Sequence, residues 1–223
     1  MSIGAVVLAA GQGTRMRSSL PKVLHPLAGR PMLGWVLDAL AGAGVERTVV
    51  VIGHGAEAVR DALPAGVVAA VQEPQIGTGH AAQVGLAVLD PACEAVVVAC
   101  GDTPLLTADL IGRMLAAHRE AGRAATMLTA DVEDAGAYGR VVRAPDGTVA
   151  RIVEARDASP AELALTEFNA GLYVFDRALL TAALSGLGRG NAQGEVYLTD
   201  AIERIGGMVG AVRADDPEPA AGV

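Results

Sequence analysis

Lysine is all but missing from this chain. Of 17 basic residues, 16 are Arg and one is Lys, at position 22. A bias in base composition would explain the count; so would a task at position 22 that Arg cannot perform. Aromatic residues are scarce as well, 3% of the total, so the core must be built from Ala, Val, Leu and Ile. With 52% apolar residues and a mean hydropathy of +0.39, the chain has ample material for one. Two cysteines, Cys93 and Cys100, are too few for a disulfide framework and lack metal-site spacing. They fit a reducing compartment and read as packing residues. The four His residues (25, 54, 80 and 118) show no metal spacing either. Positive charge is in deficit, with a formal net charge of -8, which argues against nonspecific binding to nucleic acid or to an anionic membrane. Long apolar runs are also missing. The N-terminal run breaks at Gly11 and has no basic flank, far short of the roughly 20 residues that span a bilayer. A soluble, cytoplasmic protein is expected, and 223 residues suit a single α/β domain.

What is present is a rhythm. Short β-branched runs at 5–8, 48–52, 67–71 and 95–100 alternate with Ala-rich stretches. Continuous apolar runs of this length suit parallel strands buried on both faces. Helices are expected over 32–43, started by Pro31 and stopped by Gly44, over 78–88, and over 108–121 with Thr107 as cap. This βαβα order predicts an α/β fold, a Rossmann-like doubly wound, mostly parallel sheet. The second half changes character. Segments 140–143 and 149–154, joined through Asp146-Gly147, read as an inserted β-hairpin. A strand over 168–174, helices over 177–184 and 198–205, a Gly-rich loop over 186–194 and a last strand over 209–212 follow. The acidic, Pro-containing tail 215–223 is expected to fray.

Three segments carry chemistry. Leu8-Ala9-Ala10-Gly11-Gln12-Gly13-Thr14-Arg15-Met16 leads into Leu20-Pro21-Lys22 at the end of the first strand. In a doubly wound sheet ligands bind at that edge, and small residues there offer backbone N–H groups to phosphate. Arg15 and Lys22 add two cations. No Gly lies three residues beyond Gly13, which excludes the dinucleotide fingerprint, and no Gly-Lys-Ser/Thr occurs, which excludes the P-loop. An ordinary βα turn would still look much like this. The second segment is Cys100-Gly101-Asp102-Thr103-Pro104. Asp102 follows a buried strand and can hold Mg²⁺, which favours one or two carboxylates plus phosphate oxygens. The plain alternative is a helix cap, but Thr107 is better placed for that. The third is Gln72 with Gly77-Thr78-Gly79-His80, which can read a base edge or simply link strand to helix. Glu154, Asn169 and Tyr138-Gly139-Arg140 are polar positions in strand-like surroundings, suited to sugar hydroxyls but equally to structural roles.

Taken in order, these segments resemble the N-terminal, uridyltransferase half of the bacterial bifunctional N-acetylglucosamine-1-phosphate uridyltransferase/glucosamine-1-phosphate acetyltransferases. The resemblance runs from about Ile3 to Val223 and rests on the Leu8-to-Met16 loop, Leu20-Pro21-Lys22-Val23-Leu24-His25, Gly77-Thr78-Gly79-His80-Ala81, Gly101-Asp102-Thr103-Pro104-Leu105, Tyr138-Gly139-Arg140, Asn169-Ala170-Gly171 and 191–200. It implies a nucleotidyltransferase fold as one domain over 1–223, with 1–106 mainly for nucleotide, 107–214 mainly for sugar phosphate, and a tail. It implies transfer of a uridylyl group from UTP to N-acetylglucosamine 1-phosphate, with Mg²⁺ as cofactor, giving UDP-N-acetylglucosamine and pyrophosphate for cell-wall precursors.

The same resemblance implies roles for single residues. Ala10, Gly11, Gly13 and Arg15 would hold the triphosphate, with Arg15 and Lys22 as the catalytic cations and Lys22 at the reacting α-phosphate. Gln72, Gly77 and Thr78 would read uracil, and Asp102 would bind Mg²⁺. Gly139, Glu154, Asn169 and Thr199 would hold the sugar phosphate. The family's β-helical half lies outside these residues, so neither acetyl transfer nor β-helix trimerisation is expected of them. The family's second protein ligand to Mg²⁺, an Asn, falls beyond Val223, which would weaken the metal site. Two other readings stay open: a nucleotidyltransferase for another nucleotide and sugar phosphate or cofactor, and a nucleotide-sugar-binding module without turnover.

Overall fold

The structure is a computed structural model that describes residues 2–13, 16, 18–218 and 222. Its elements, in chain order, begin with β1 (Ile3–Ala9), a 3-10 turn (Lys22–Leu24), a two-residue ribbon β2 (Pro26–Leu27) and β3 (Arg30–Pro31), α1 (Met32–Gly42), β4 (Arg47–Ile52), α2 (Ala56–Asp61) and β5 (Val68–Val71). Then come α3 (Thr78–Val88), β6 (Ala95–Cys100), α4 (Ala108–Glu120), β7 (Ala125–Asp131), β8 (Arg140–Arg143) and β9 (Val149–Val153). The chain continues with α5 (Pro160–Leu163), β10 (Glu167–Asp176), α6 (Arg177–Leu184), α7 (Asp200–Ile205) and β11 (Val209–Arg213). Among the described residues no helix is long and apolar enough to cross a membrane.

The main sheet has strand order β11-β7-β10-β6-β1-β4-β5, with the β8–β9 hairpin attached beside β10. The four β-branched runs are the parallel block β6-β1-β4-β5. Alternation along them fixes a three-layer sandwich. Ala5, Val7 and Ala9 of β1 face one core with Leu33, Val36, Leu40, Ile111 and Met114 from α1 and α4. Val6 faces the other, with Ala82 and Leu86 of α3 and Leu180 of α6. Period-2 side chains on both faces, each covered by helices, are what a buried parallel sheet requires. Strand β10 departs from that scheme, running antiparallel to both β6 and β7, while β11 is again parallel to β7.

Local rules account for the boundaries. Pro31 is the residue before α1 rather than its first turn, and Gly44, at φ +81°, ends the helix as expected. Thr107 caps α4, its Oγ1 accepting from Leu110 N at 3.2 Å. The hairpin turn closes through Gly147 N to Ala144 O, 2.9 Å, with Asp146 Oδ1 accepting from Thr148 N at 3.0 Å. The strand β7 has no counterpart in the sequence reading. Of the tail, residues 219–221 and 223 lie outside the described residues; at Gly222 the carbonyl oxygen accepts from the Tyr138 hydroxyl at 3.1 Å, beside Asp102.

Candidate active site

The first four parallel strands by sequence are β1, β4, β5 and β6, and their spatial order is third-second-first-fourth. The order reverses between β1 and β6, the edge where open α/β sheets bind ligands. A cleft of about 630 Å³ opens there, beyond the carboxyl ends of both strands. Its walls include Ala10, Gly11, Gly13, Lys22, Gln72, Gly77, Thr78, Cys100, Asp102 and Glu195. Eight residues singled out from the sequence are therefore neighbours on one cavity. Arg15 lies outside the described residues.

The loop after β1 is shaped by glycine for two different reasons. At Gly11 an added Cβ would meet nothing within 4 Å, so the backbone faces open cleft. Gly13 sits at φ +58°, and a Cβ there would come within 2.8 Å of Lys22 Cβ. Gly13 thus lets the Lys22 stem lie against the loop. Lys22 opens a 3-10 turn whose next residue, Val23, is buried and anchors it. Val23 in turn packs on Gly101, where a Cβ would stand 3.1 Å from its Cγ1. Two segments 80 residues apart are thereby clamped together, and Lys22 Nζ meets Asp102 Oδ2 at 2.6 Å.

Asp102 is held from its own side too. Gly101 N donates to Leu8 O at 2.9 Å, and Thr103 Oγ1 donates to Cys100 O at 2.8 Å, which fixes the turn after β6. Asp102 Oδ1 takes no hydrogen bond among the described residues. A hard, half-buried carboxylate oxygen in an open cleft fits a divalent cation whose other sites are filled by phosphate and water. Among the described residues no group of three or more His, Cys, Asp or Glu side chains could hold a metal by itself. Any such ion would need its ligand's oxygens.

Gln72 is buried at the end of β5. Its Nε2 donates to Gly77 O at 2.9 Å and meets His80 Nδ1 at 3.2 Å. Gln72 also lines the cleft, and its amide oxygen can only accept a hydrogen bond. Thr78 is otherwise engaged: its Oγ1 accepts from Leu198 N at 3.0 Å. Gly77, at φ +113°, lies so close to the Val196 carbonyl that a Cβ would run into it.

Gly139, Glu154, Asn169 and Thr199 form a second group. Asn169 N donates to Gly139 O at 2.9 Å, and Thr199 Oγ1 donates to Glu154 Oε1 at 2.9 Å. The β10–β7 ladder breaks register between Asn169, which still pairs with Thr129, and Tyr173, with Gly171 at φ +71° and Asn169 Oδ1 accepting from Gly171 N at 3.2 Å. Burial pushes the Glu154 carboxyl above its ordinary range, the Thr199 hydrogen bond opposes that, and Asp200, Asp157 and Glu195 push it further up. Cys100 joins the two groups, lining the cleft while its Sγ lies 3.9 Å from Gly171 O. Burial, then the Asp102 charge, pushes its thiol up to about 12, so it stays protonated and is no nucleophile.

From the sequence Cys100 reads as a packing residue, and Glu195 and Tyr173 carry no role of their own. Tyr173 is buried, and burial raises its hydroxyl well above the ordinary value while a hydrogen bond to Asn169 opposes the shift. Only the ordered motif at 191–200 hinted at Glu195. Nothing in composition marked Cys100 as more than packing.

Comparison with known proteins agrees with this geometry. A family profile described as the MobA-like NTP transferase domain matches residues 5–202. The bifunctional protein GlmU of Exiguobacterium sp. (strain ATCC BAA-1283 / AT1b) is 55% identical over 198 residues, covering 89% of this chain and 44% of that protein. GlmU of Pelotomaculum thermopropionicum is 46% identical over 100% of this chain and 50% of its own. The chain thus spans about half the length of the curated relatives it matches. Among solved structures, a UDP-glucose pyrophosphorylase complexed with UDP-glucose superposes with a TM-score of 0.77 at 19% identity, covering 92% of this chain and 86% of that one. That likeness gives the fold, a nucleotide-diphospho-sugar transferase sheet, and the profile covering most of the chain gives the lineage: this chain belongs to the MobA-like NTP transferase family.

Proposed function

We propose that this nucleotidyltransferase moves a uridylyl group from UTP to N-acetylglucosamine 1-phosphate, giving UDP-N-acetylglucosamine and pyrophosphate in the cytoplasm, for cell-wall precursors. The observation that carries the reading is the Lys22–Asp102 pair at 2.6 Å on a glycine-shaped cleft. Both substrate names, UTP and N-acetylglucosamine 1-phosphate, are taken from the family resemblance in the sequence.

The chemistry asks for positioning and charge neutralisation rather than for a protein nucleophile. A phosphate oxygen of the sugar phosphate attacks the α-phosphorus of UTP. The bond to the β-phosphate bridging oxygen breaks, and pyrophosphate leaves. Both reactants are anions, so cations must offset the charge that accumulates between them. Lys22 supplies one, a compact ammonium on a flexible stem. Backbone from Ala10 to Gly13 faces the triphosphate, as would Arg15. Asp102 would hold Mg²⁺, which when bound neutralises phosphate charge. Gln72 Oε1 is an acceptor, and uracil N3–H is a donor; cytosine offers an acceptor at that position and would be refused. Glu154 and Asn169 would take the sugar hydroxyls, with Gly139 holding the Asn169 backbone and Thr199 the Glu154 carboxylate.

By this reading, 1–106 serves mainly the nucleotide and 107–214 mainly the sugar phosphate, as one domain. Purified protein given UTP, Mg²⁺ and N-acetylglucosamine 1-phosphate should release pyrophosphate in proportion to enzyme. Release that depends equally on GTP or CTP, or that needs no sugar phosphate, would remove the assignment.

A further inference from the structure

One segment touches both groups of the site. Residues 191–199 leave the Gly-rich loop and cross from the α3 start to Glu154. At the α3 end three hydrogen bonds hold it: Val196 N to Ile76 O at 2.7 Å, Gly79 N to Val196 O at 2.8 Å, and Leu198 N to Thr78 Oγ1 at 3.0 Å. Both glycines of Gly77-Thr78-Gly79 are explained by this contact. A Cβ on Gly77 would collide with Val196 backbone, and one on Gly79 would stand 2.8 Å from Val196 Cγ1. At the other end Thr199 Oγ1 holds Glu154 Oε1 at 2.9 Å, and Ala192 N donates to Asp157 Oδ1 at 2.8 Å. The segment is stiffened from within. Asn191 Nδ2 donates to Glu195 O at 2.6 Å, and Asn191 Oδ1 accepts from Gln193 N and Glu195 N at 3.2 and 3.1 Å. Val196, Leu198 and Thr199 are buried, so a shift at one end has little room to dissipate before the other.

We propose that Thr78 is a positioning residue for the sugar phosphate: its hydroxyl anchors the 191–199 strap, and the strap fixes Glu154 through Thr199. The nucleotide-side turn thereby sets the readiness of the sugar-side carboxylate, and the pair Thr78–Thr199 couples the two subsites. The proposal rests on the functional reading above, in which Glu154 takes sugar hydroxyls.

Initial rates with both substrates varied test it, beginning with the wild type. A wild type that turns over neither UTP nor N-acetylglucosamine 1-phosphate refutes the functional reading itself. With an active wild type, Thr78→Val removes the acceptor and keeps the shape. It should raise KM for the sugar phosphate roughly three- to tenfold, the loss of one neutral hydrogen bond, and by a larger factor than KM for UTP. Thr78→Ser should restore the wild-type values. In a Thr199→Val background, Thr78→Val should add nothing further, because the path is already cut. A rise confined to UTP, effects of the two variants that multiply, or no change in either KM would each overturn the proposal. A readout free of any folding defect is hydrogen exchange in the wild type. N-acetylglucosamine 1-phosphate alone should slow exchange at the Leu198 amide; an unaltered rate contradicts the strap.

Discussion

Replacing Lys22 is the sharpest perturbation of the reaction. The side chain is half-buried, its stem packs on Gly13, and its ammonium lies 2.6 Å from Asp102 Oδ2. In the reacting complex it faces phosphate oxygens. A unit charge pair about 4 Å apart at an effective dielectric near 20 is worth about 4 kcal/mol. If most of that is expressed in the transition state, Lys22→Met should lower kcat/KM by about three orders of magnitude, at about 1.4 kcal/mol per tenfold. Lys22→Arg keeps the charge but not the geometry. A planar guanidinium on a stem wedged against Gly13 cannot put its charge where a compact ammonium goes, and a misplacement of about 1 Å costs about a hundredfold. The assay is continuous pyrophosphate release with UTP and sugar phosphate each varied to give kcat/KM, with thermal melts to show that both variants fold. Full activity in Lys22→Arg would show that position 22 does not require lysine and return the lone lysine to compositional chance. Equal losses in Met and Arg variants would show that geometry, not charge, dominates.

Three further outcomes are expected. Gln72→Met removes the amide acceptor proposed to read the base, so the preference for UTP over CTP, measured as a ratio of kcat/KM, should fall about tenfold or more. Glu154 has its folded value raised above 4.5 by burial, so it favours the folded state below that pH and loses this contribution as pH rises through the raised value. Urea unfolding of wild type and Glu154→Gln should therefore show the variant gaining relative stability from pH 4.5 upward, and a constant difference would refute the shift. Thr107→Ala removes the α4 cap bonded to Leu110 N and should cost about 1 kcal/mol in chemical denaturation without changing KM.

Much of the fold was legible where strands announce themselves. The runs at β1, β4, β5 and β6 are rich in Val and Ile, and a parallel block followed. Strand β7 was not legible, because Ala125-Thr126-Met127-Leu128-Thr129-Ala130-Asp131 holds no Val or Ile and mixes helix formers with Thr. Its extended state is imposed by pairing with β10 on one side and β11 on the other. The antiparallel course of β10 was likewise a tertiary decision. At the candidate site, chemistry at strand ends could be read: the Gly11–Gly13 turn, and Asp102 once Thr107 had taken the cap. Distance in sequence hid the rest. That Lys22 and Asp102 touch depends on Val23 packing against Gly101. Gly77-Thr78-Gly79 looked like a ligand turn, yet its glycines and hydroxyl meet residues 196–198, more than a hundred positions away. No spacing rule carries such a contact.

The central claim is a bond broken between the α- and β-phosphates of UTP at this cleft. Phosphorus NMR of protein, UTP, Mg²⁺ and N-acetylglucosamine 1-phosphate tests it most directly. The UTP signals should give way to the paired diphosphate resonances of UDP-N-acetylglucosamine and an equal amount of pyrophosphate. Appearance of UDP and orthophosphate, or an unaltered spectrum at high enzyme and metal concentration, would contradict it.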